Sequence, residues 1–199
     1  MSKKIIIIAA VLVIIGVTGF SAKQKQPAET GTLAQAVATS SSVNEVRPYV
    51  DQSAKFSLNL PKGWSMDDKK TSTTTSNIWF RNASSTIVIT RHVRTAETNK
   101  HIEKLGPGGL LDTIINNIVF GLNQYNLVST QSIVINGVPY RQVISTYVGS
   151  KTKRQATQHL YATIAKDAYY LIGIDVYSDE WQSKKDAILQ SINTLKLLP

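Results

Sequence analysis

IVINGVPYRQVISTYV, residues 133–148, decides the fold class. Asn136-Gly137 stands between two runs of β-branched and aromatic residues, and an Asn-Gly pair readily takes the positive φ angles that a two-residue hairpin loop demands. Asn126 to Ile135 therefore reads as one strand and Val138 to Val148 as its antiparallel partner. Toward the C-terminus the pattern repeats, with Gln155 to Ala165 and Ala168 to Tyr177 joined at Lys166-Asp167. Toward the N-terminus, Lys55 to Leu60 alternates apolar and polar residues as a half-buried strand does, and stops at Pro61-Lys62-Gly63-Trp64. Asn77 to Asn82 and Ser85 to Arg91 form a further hairpin about Asn82 to Ser84. Met66 to Ser76 and Thr95 to Lys104 show no apolar period and read as loops.

Two helices complete the pattern. Pro107-Gly108-Gly109 introduces LLDTIINNIVFGLNQ, in which Leu110, Leu111, Ile114, Ile115, Ile118, Val119 and Leu122 recur at helical spacing. Ser178 to Leu198 reads as an amphipathic helix capped by Ser178 or Asp179, with Glu180 in its first turn and Trp181, Ile188, Ile192 and Leu195 on its apolar side. Strands joined by hairpins, with helices between and after them, predict an α+β domain with a mostly antiparallel sheet flanked by helices. No run of repeated βα units is present, which argues against the doubly wound and barrel folds.

The N-terminus speaks to location. Lys3 and Lys4 precede an apolar run from Ile5 to Phe20, which as a helix spans ~24 Å, a little short of the ~30 Å hydrocarbon core. Both a retained anchor and a cleaved export signal fit that length. Residues 1–22 are thus a signal peptide or transmembrane anchor, residues 23–54 a polar flexible tether, and residues 55–199 the globular domain. The domain is placed outside the cytoplasm, membrane-held through residues 5–20 or secreted. The chain has no cysteine, which removes disulfides, a thiol nucleophile, Cys-based zinc sites and a lipid-modified cysteine.

The residue types that carry chemistry do not gather into a signature. His92 and His101 flank RHVRTAETNKHIEK, which also holds Glu97 and Glu103, but the spacing matches no zinc motif and the residues read as solvated. His159 lies in an alternating strand and reads as a surface or cross-strand residue. No G-x-S-x-G is present. Gly106-Pro107-Gly108-Gly109 lacks the Lys-Ser/Thr of a phosphate loop and reads as a helix-entry turn. The sequence thus names no catalytic residue, metal or cofactor.

Two surfaces remain as binding candidates. The chain carries a formal +9, concentrated in Arg91, Arg94, Lys100 and Lys104 and again in Lys151, Lys153 and Arg154, where anionic envelope polymers, lipid headgroups or, less well, nucleic acid could bind. Exposed aromatics at Trp64, Trp79 and Tyr140 would suit a protein partner.

Phe56, Leu58 and Leu60 before Pro61, Gly63 and Trp64, the hairpin with Ile133, Ile135, Gly137, Val138 and Pro139, the strand Ala168-Tyr169-Tyr170-Leu171-Ile172, and the closing Ile188, Ser191, Ile192 and Leu195 together resemble the PsbP-like domain family over Lys55 to Leu198. The resemblance implies an α/β/α sandwich, an exported location and an accessory or binding domain without catalysis of its own. The expected function is a non-catalytic envelope module that binds another protein, with polyanion binding as the alternative.

Overall fold

The computed structural model describes residues 46–119 and 122–199. The expected anchor at 5–20 and tether residues 23–45 lie outside the described residues, and among the described residues no helix is long and apolar enough to cross a membrane. In chain order the elements are β1 (Arg47–Asp51), β2 (Phe56–Leu60), β3 (Ser65–Thr71), β4 (Thr75–Asn82), β5 (Ser85–Val93), α1 (Ala96–Val119), β6 (Asn126–Ile135), β7 (Val138–Val148), β8 (Gln155–Ile164), β9 (Ala168–Tyr177), α2 (Trp181–Ile192) and β10 (Lys196–Leu197).

Seven strands form one sheet in the order β3-β4-β5-β9-β8-β7-β6, every neighbouring pair antiparallel. The meander β3-β4-β5 and the meander β6-β7-β8-β9 join where β5 pairs β9. α1 carries the chain from the middle of the sheet to its far edge. A small sheet, β1-β2-β10, lies apart. The result is an α+β fold with a large antiparallel sheet and helices on both sides of it.

Alternation sends each strand to two cores. Ile78, Phe80, Ile87, Ile89, Ile172 and Ile174 face β2 and α2, where Phe56, Leu58, Leu60, Ile188 and Ile192 complete a buried cluster. On the opposite face Val143, Leu160, Ala162 and Leu171 pack under Leu110, Leu111, Ile114, Ile115 and Val119 of α1.

The hairpin that decided the fold class forms as read. Asn136 and Gly137 take φ of 48° and 78°, and the Asn136 amide donates to the carbonyls of Asn193 and Leu195, tying the turn to the end of α2. A Cβ at Gly137 would meet nothing within 4 Å, so only backbone strain opposes one. Gly137→Ala is expected to cost about 1 kcal/mol and lower Tm by roughly 2–4 °C. An unchanged melting curve would contradict the left-handed turn.

Four elements differ from the sequence reading. Arg47–Asp51, inside the stretch read as tether, is β1, and Ala54 is buried because its N–H and the Ser53 hydroxyl both donate to Asp51 Oδ1. Met66 to Ser76 is no loop: it supplies β3 and the turn into β4, and β3 is exposed on both faces, so no alternation marks it. Thr95 to Lys104 is the first half of α1, with the Thr95 hydroxyl accepting from the Thr98 N–H at its start. Gly106, at φ 68°, breaks the helix, and Pro107 opens the second half, where a missing N–H costs nothing. The final helix stops at Ile192, and Lys196–Leu197 returns to pair with β2.

Candidate functional site

The basic residues separate into struts and free lysines. Arg91, almost fully buried in β5, donates from Nη2 to Asp167 Oδ2 at 2.8 Å, and Lys55 Nζ reaches the same oxygen at 3.1 Å. Arg94 donates to Asn99 and to the carbonyls of Ala165 and Lys166, clamping the β8–β9 turn to α1. Arg154 pairs with Asp179 and Glu180 and lies 3.6 Å over the Tyr177 ring. Glu180 also meets Ser84 and Lys184, so this cluster fastens the start of α2 to the β4–β5 turn.

Lys100, Lys104, Lys151 and Lys153 remain exposed. The first pair lies near the β8–β9 end of the sheet and the second at the β7–β8 turn, separated by the ten residues of β8 or about 33 Å. The seven candidates for polyanion binding therefore form no single basic face.

The histidines are dispersed too. His92 is buried in β5, sharing a 3.0 Å hydrogen bond with Thr75 and stacked on Tyr169 at 4.7 Å; burial lowers its pKa to about 4. His159 is also buried, not a surface residue, with its ring 4.4 Å from that of Trp181 and its pKa likewise lowered by burial to about 4. His101 Nδ1–H donates to the Glu97 carbonyl of its own helix at 2.9 Å. Among the described residues no group of histidines and carboxylates is placed to hold a metal ion.

A buried polar cluster that sequence reasoning missed sits on the α1 side of the sheet. Asp175, paired across the ladder with Gln158, accepts at Oδ1 from the Tyr147 hydroxyl (2.9 Å) and from Gln158 Nε2 (3.1 Å). Burial raises the Asp175 carboxyl to about 7 against the two hydrogen bonds, which lower it, and the same surroundings push the Tyr147 hydroxyl up. Asp175 Oδ2 and Gln158 Oε1 are buried without a partner among the described residues. One acidic residue inside the apolar run AYYLIGIDVY was the available signal.

Of the three aromatics expected on the surface, two belong to the interior. Trp64 and Tyr140 are core members. Trp64 follows a tight turn, its N–H donating to the Pro61 carbonyl, and Tyr140 falls on the inward phase of β7. Trp79 alone stays half-exposed. It alternates with Ile78 and Phe80, lies opposite Val88, and carries Lys70 Nζ 5.5 Å above its ring. Around it Thr90 donates to Asn77 at 2.7 Å and Arg81 pairs with Asp67 at 2.9 Å. The strand residues buried under α1 lie on β7, β8 and β9, and neither Trp79 nor its partner Val88 is among them. An indole held in place within a ring of paired polar side chains is suited to burial by another protein.

A family profile described as "PsbP-like protein" matches residues 4–196. Among solved structures, cyanobacterial PsbP (CyanoP) from Synechocystis sp. PCC 6803 is 14% identical with a TM-score of 0.52, the match covering 84% of this chain and 99% of that one. LpqN, involved in cell envelope biogenesis of Mycobacterium tuberculosis, is 15% identical with a TM-score of 0.50, covering 78% of this chain and 91% of that one. At such identities the likeness is one of fold. No curated protein matches the sequence.

Proposed function

This chain belongs to the PsbP-like proteins, and from that premise we propose that it is a non-catalytic accessory domain that works outside the cytoplasm, tethered or secreted, by holding a protein of the cell envelope. The observation that carries the reading is the half-exposed Trp79, outside the α1 core, with Lys70 over its ring and the pairs Thr90–Asn77 and Arg81–Asp67 around it. Similarity of fold to CyanoP and to LpqN, the latter involved in envelope biogenesis, supports an extracytoplasmic, accessory role. Arg91 and Arg154, spent on internal ion pairs, weaken the polyanion alternative.

The test is capture from native membranes with the full-length chain as bait, at low and high salt. A protein retained at high salt and lost at least tenfold on Trp79→Ala is the expected result, since truncating a buried aromatic anchor commonly costs 2 kcal/mol or more. Recovery only of anionic polymers, released as salt rises, would overturn it in favour of the lysines at 100, 104, 151 and 153.

A further inference from the structure

The two edges of the large sheet are built differently. β3 carries Asp67, Asp68, Lys69 and Lys70 in seven residues, the usual protection of an open edge against pairing. β6, at the other edge, is ten residues long and has neither a charge nor a proline. It exposes Leu127 (54%), Val128 (57%) and Val134 (69%), each far above the exposure of a core position. An edge of that length presents a row of backbone N–H and C=O groups with no charge or proline to repel a second strand.

The strand is also complementary to itself. A bulge between Leu127 and Ser129 shifts the alternation, so that Leu127, Thr130, Ser132 and Val134, opposite Ser145, Val143, Arg141 and Pro139, share one face. Antiparallel pairing about a two-fold axis through Gln131 then sets Thr130 opposite Ser132, Ser129 opposite Ile133, and the bulged Leu127-Val128 opposite Val134, every pair on matching faces. Leu127-Val128 meets Val134 at both ends and Thr130 meets Ser132 beside the axis, with Ser129 against Ile133 between them. Charge selects the same occupant: copies of a chain with formal +9 repel over most of their surface, but an uncharged strand meeting itself buries no charge.

We propose that β6 is a homodimer interface, in which two copies pair their β6 strands antiparallel about Gln131 to form one continuous sheet. The arrangement is closed, so it ends at two copies. It leaves the Trp79 faces free near the far edges of the joined sheet. An interface of one strand pair falls below the ~1,200 Å² of stable complexes, so the dimer is concentration-dependent.

The absence of native cysteine makes a direct test simple. In the full-length chain, in non-denaturing detergent, Gln131→Cys places two thiols across the axis at about 5 Å between Cβ atoms, whereas Val134→Cys places its two about 20 Å apart. Mild oxidation is expected to yield at least tenfold more disulfide dimer from Gln131→Cys than from Val134→Cys. Adding Val134→Lys to Gln131→Cys, at a position open enough to leave folding intact, is expected to cut that yield at least tenfold. Equal yields from the two cysteines, as anchor-driven or random proximity gives, or no disulfide from Gln131→Cys, would overturn the proposal. Partner capture through Trp79 is a separate readout: its failure with the Gln131 cross-link intact would sink only the protein-binding reading.

Discussion

Phe56→Ala is expected to destabilise the domain by about 3–5 kcal/mol, which for a domain of this size lowers Tm by roughly 10 °C. The ring is fully buried, with Tyr49 5.9 Å away and Phe80, across the interface, in T-shaped contact with the same tyrosine at 4.8 Å. Its strand pairs on one side with β1, where Asp51 lies opposite Phe56, and on the other with β10, where Leu197 does. Phe56 is thus the point at which the small sheet is pinned to the large one. Removing the ring leaves a cavity that cannot collapse, because both flanking strands are fixed by their ladders. Phe56→Leu, which keeps most of the volume, should cost under about 2 kcal/mol. Urea unfolding followed by tryptophan fluorescence measures both, and a loss under 1 kcal/mol for the alanine variant would mean that the small sheet is not anchored through this residue.

What could be read from the sequence followed from what each segment shows to its surroundings. Asn136-Gly137 announced its hairpin because the turn itself requires those residues, whatever packs around it. The second half of α1 was legible because Leu110, Leu111, Ile114 and Ile115 must all face one core. β3 was not, since a strand exposed on both faces has no reason to alternate. The first half of α1 has only Ile102 and Leu105 as large apolar residues, and what makes it helical is the Thr95 cap and its continuity with the second half across Gly106. β10 is two residues long and exists only because β2 offers an edge. At the candidate sites the limit was burial. Nothing local distinguishes Trp79, which a partner can reach, from Trp64 and Tyr140, which it cannot, because exposure depends on elements far away in the chain. Arg91 and Arg154 likewise read as free charges until Asp167 and Asp179 are brought beside them. Asp175 is not legible as a buried acid, because its burial depends on elements far away in the chain.

The pH dependence of stability is expected to peak near pH 6.5, a maximum set by the buried His92, His159 and Asp175. His92 and His159, with folded values near 4 against an unfolded 6.5, are bound by protons in the unfolded chain first. Their contribution is complete above pH 6.5 and is lost as pH falls toward 4, at about 1.4 kcal/mol per unit for each. Asp175 has the opposite sign. Its folded value near 7 lies above the unfolded 3.8, so its contribution is present at low pH and is lost as pH rises through 7. Between pH 4 and 6.5 one histidine is therefore offset, leaving a net loss of roughly 3 kcal/mol on acidification; between 6.5 and 7 only Asp175 titrates and stability declines. Asp51 and Glu180, both held near 2, add their losses only below about pH 4.5. Asp175→Asn keeps an oxygen to accept from Tyr147 and Gln158 and removes the ionisation, so it should raise stability at pH 8 by about 2–4 kcal/mol and steepen the acid limb. Denaturant unfolding at pH 4.5, 6.5 and 8 measures all three points. A variant no more stable than the parent at pH 8 would show that the Asp175 carboxylate is solvated when ionised, and that the cluster is open to water.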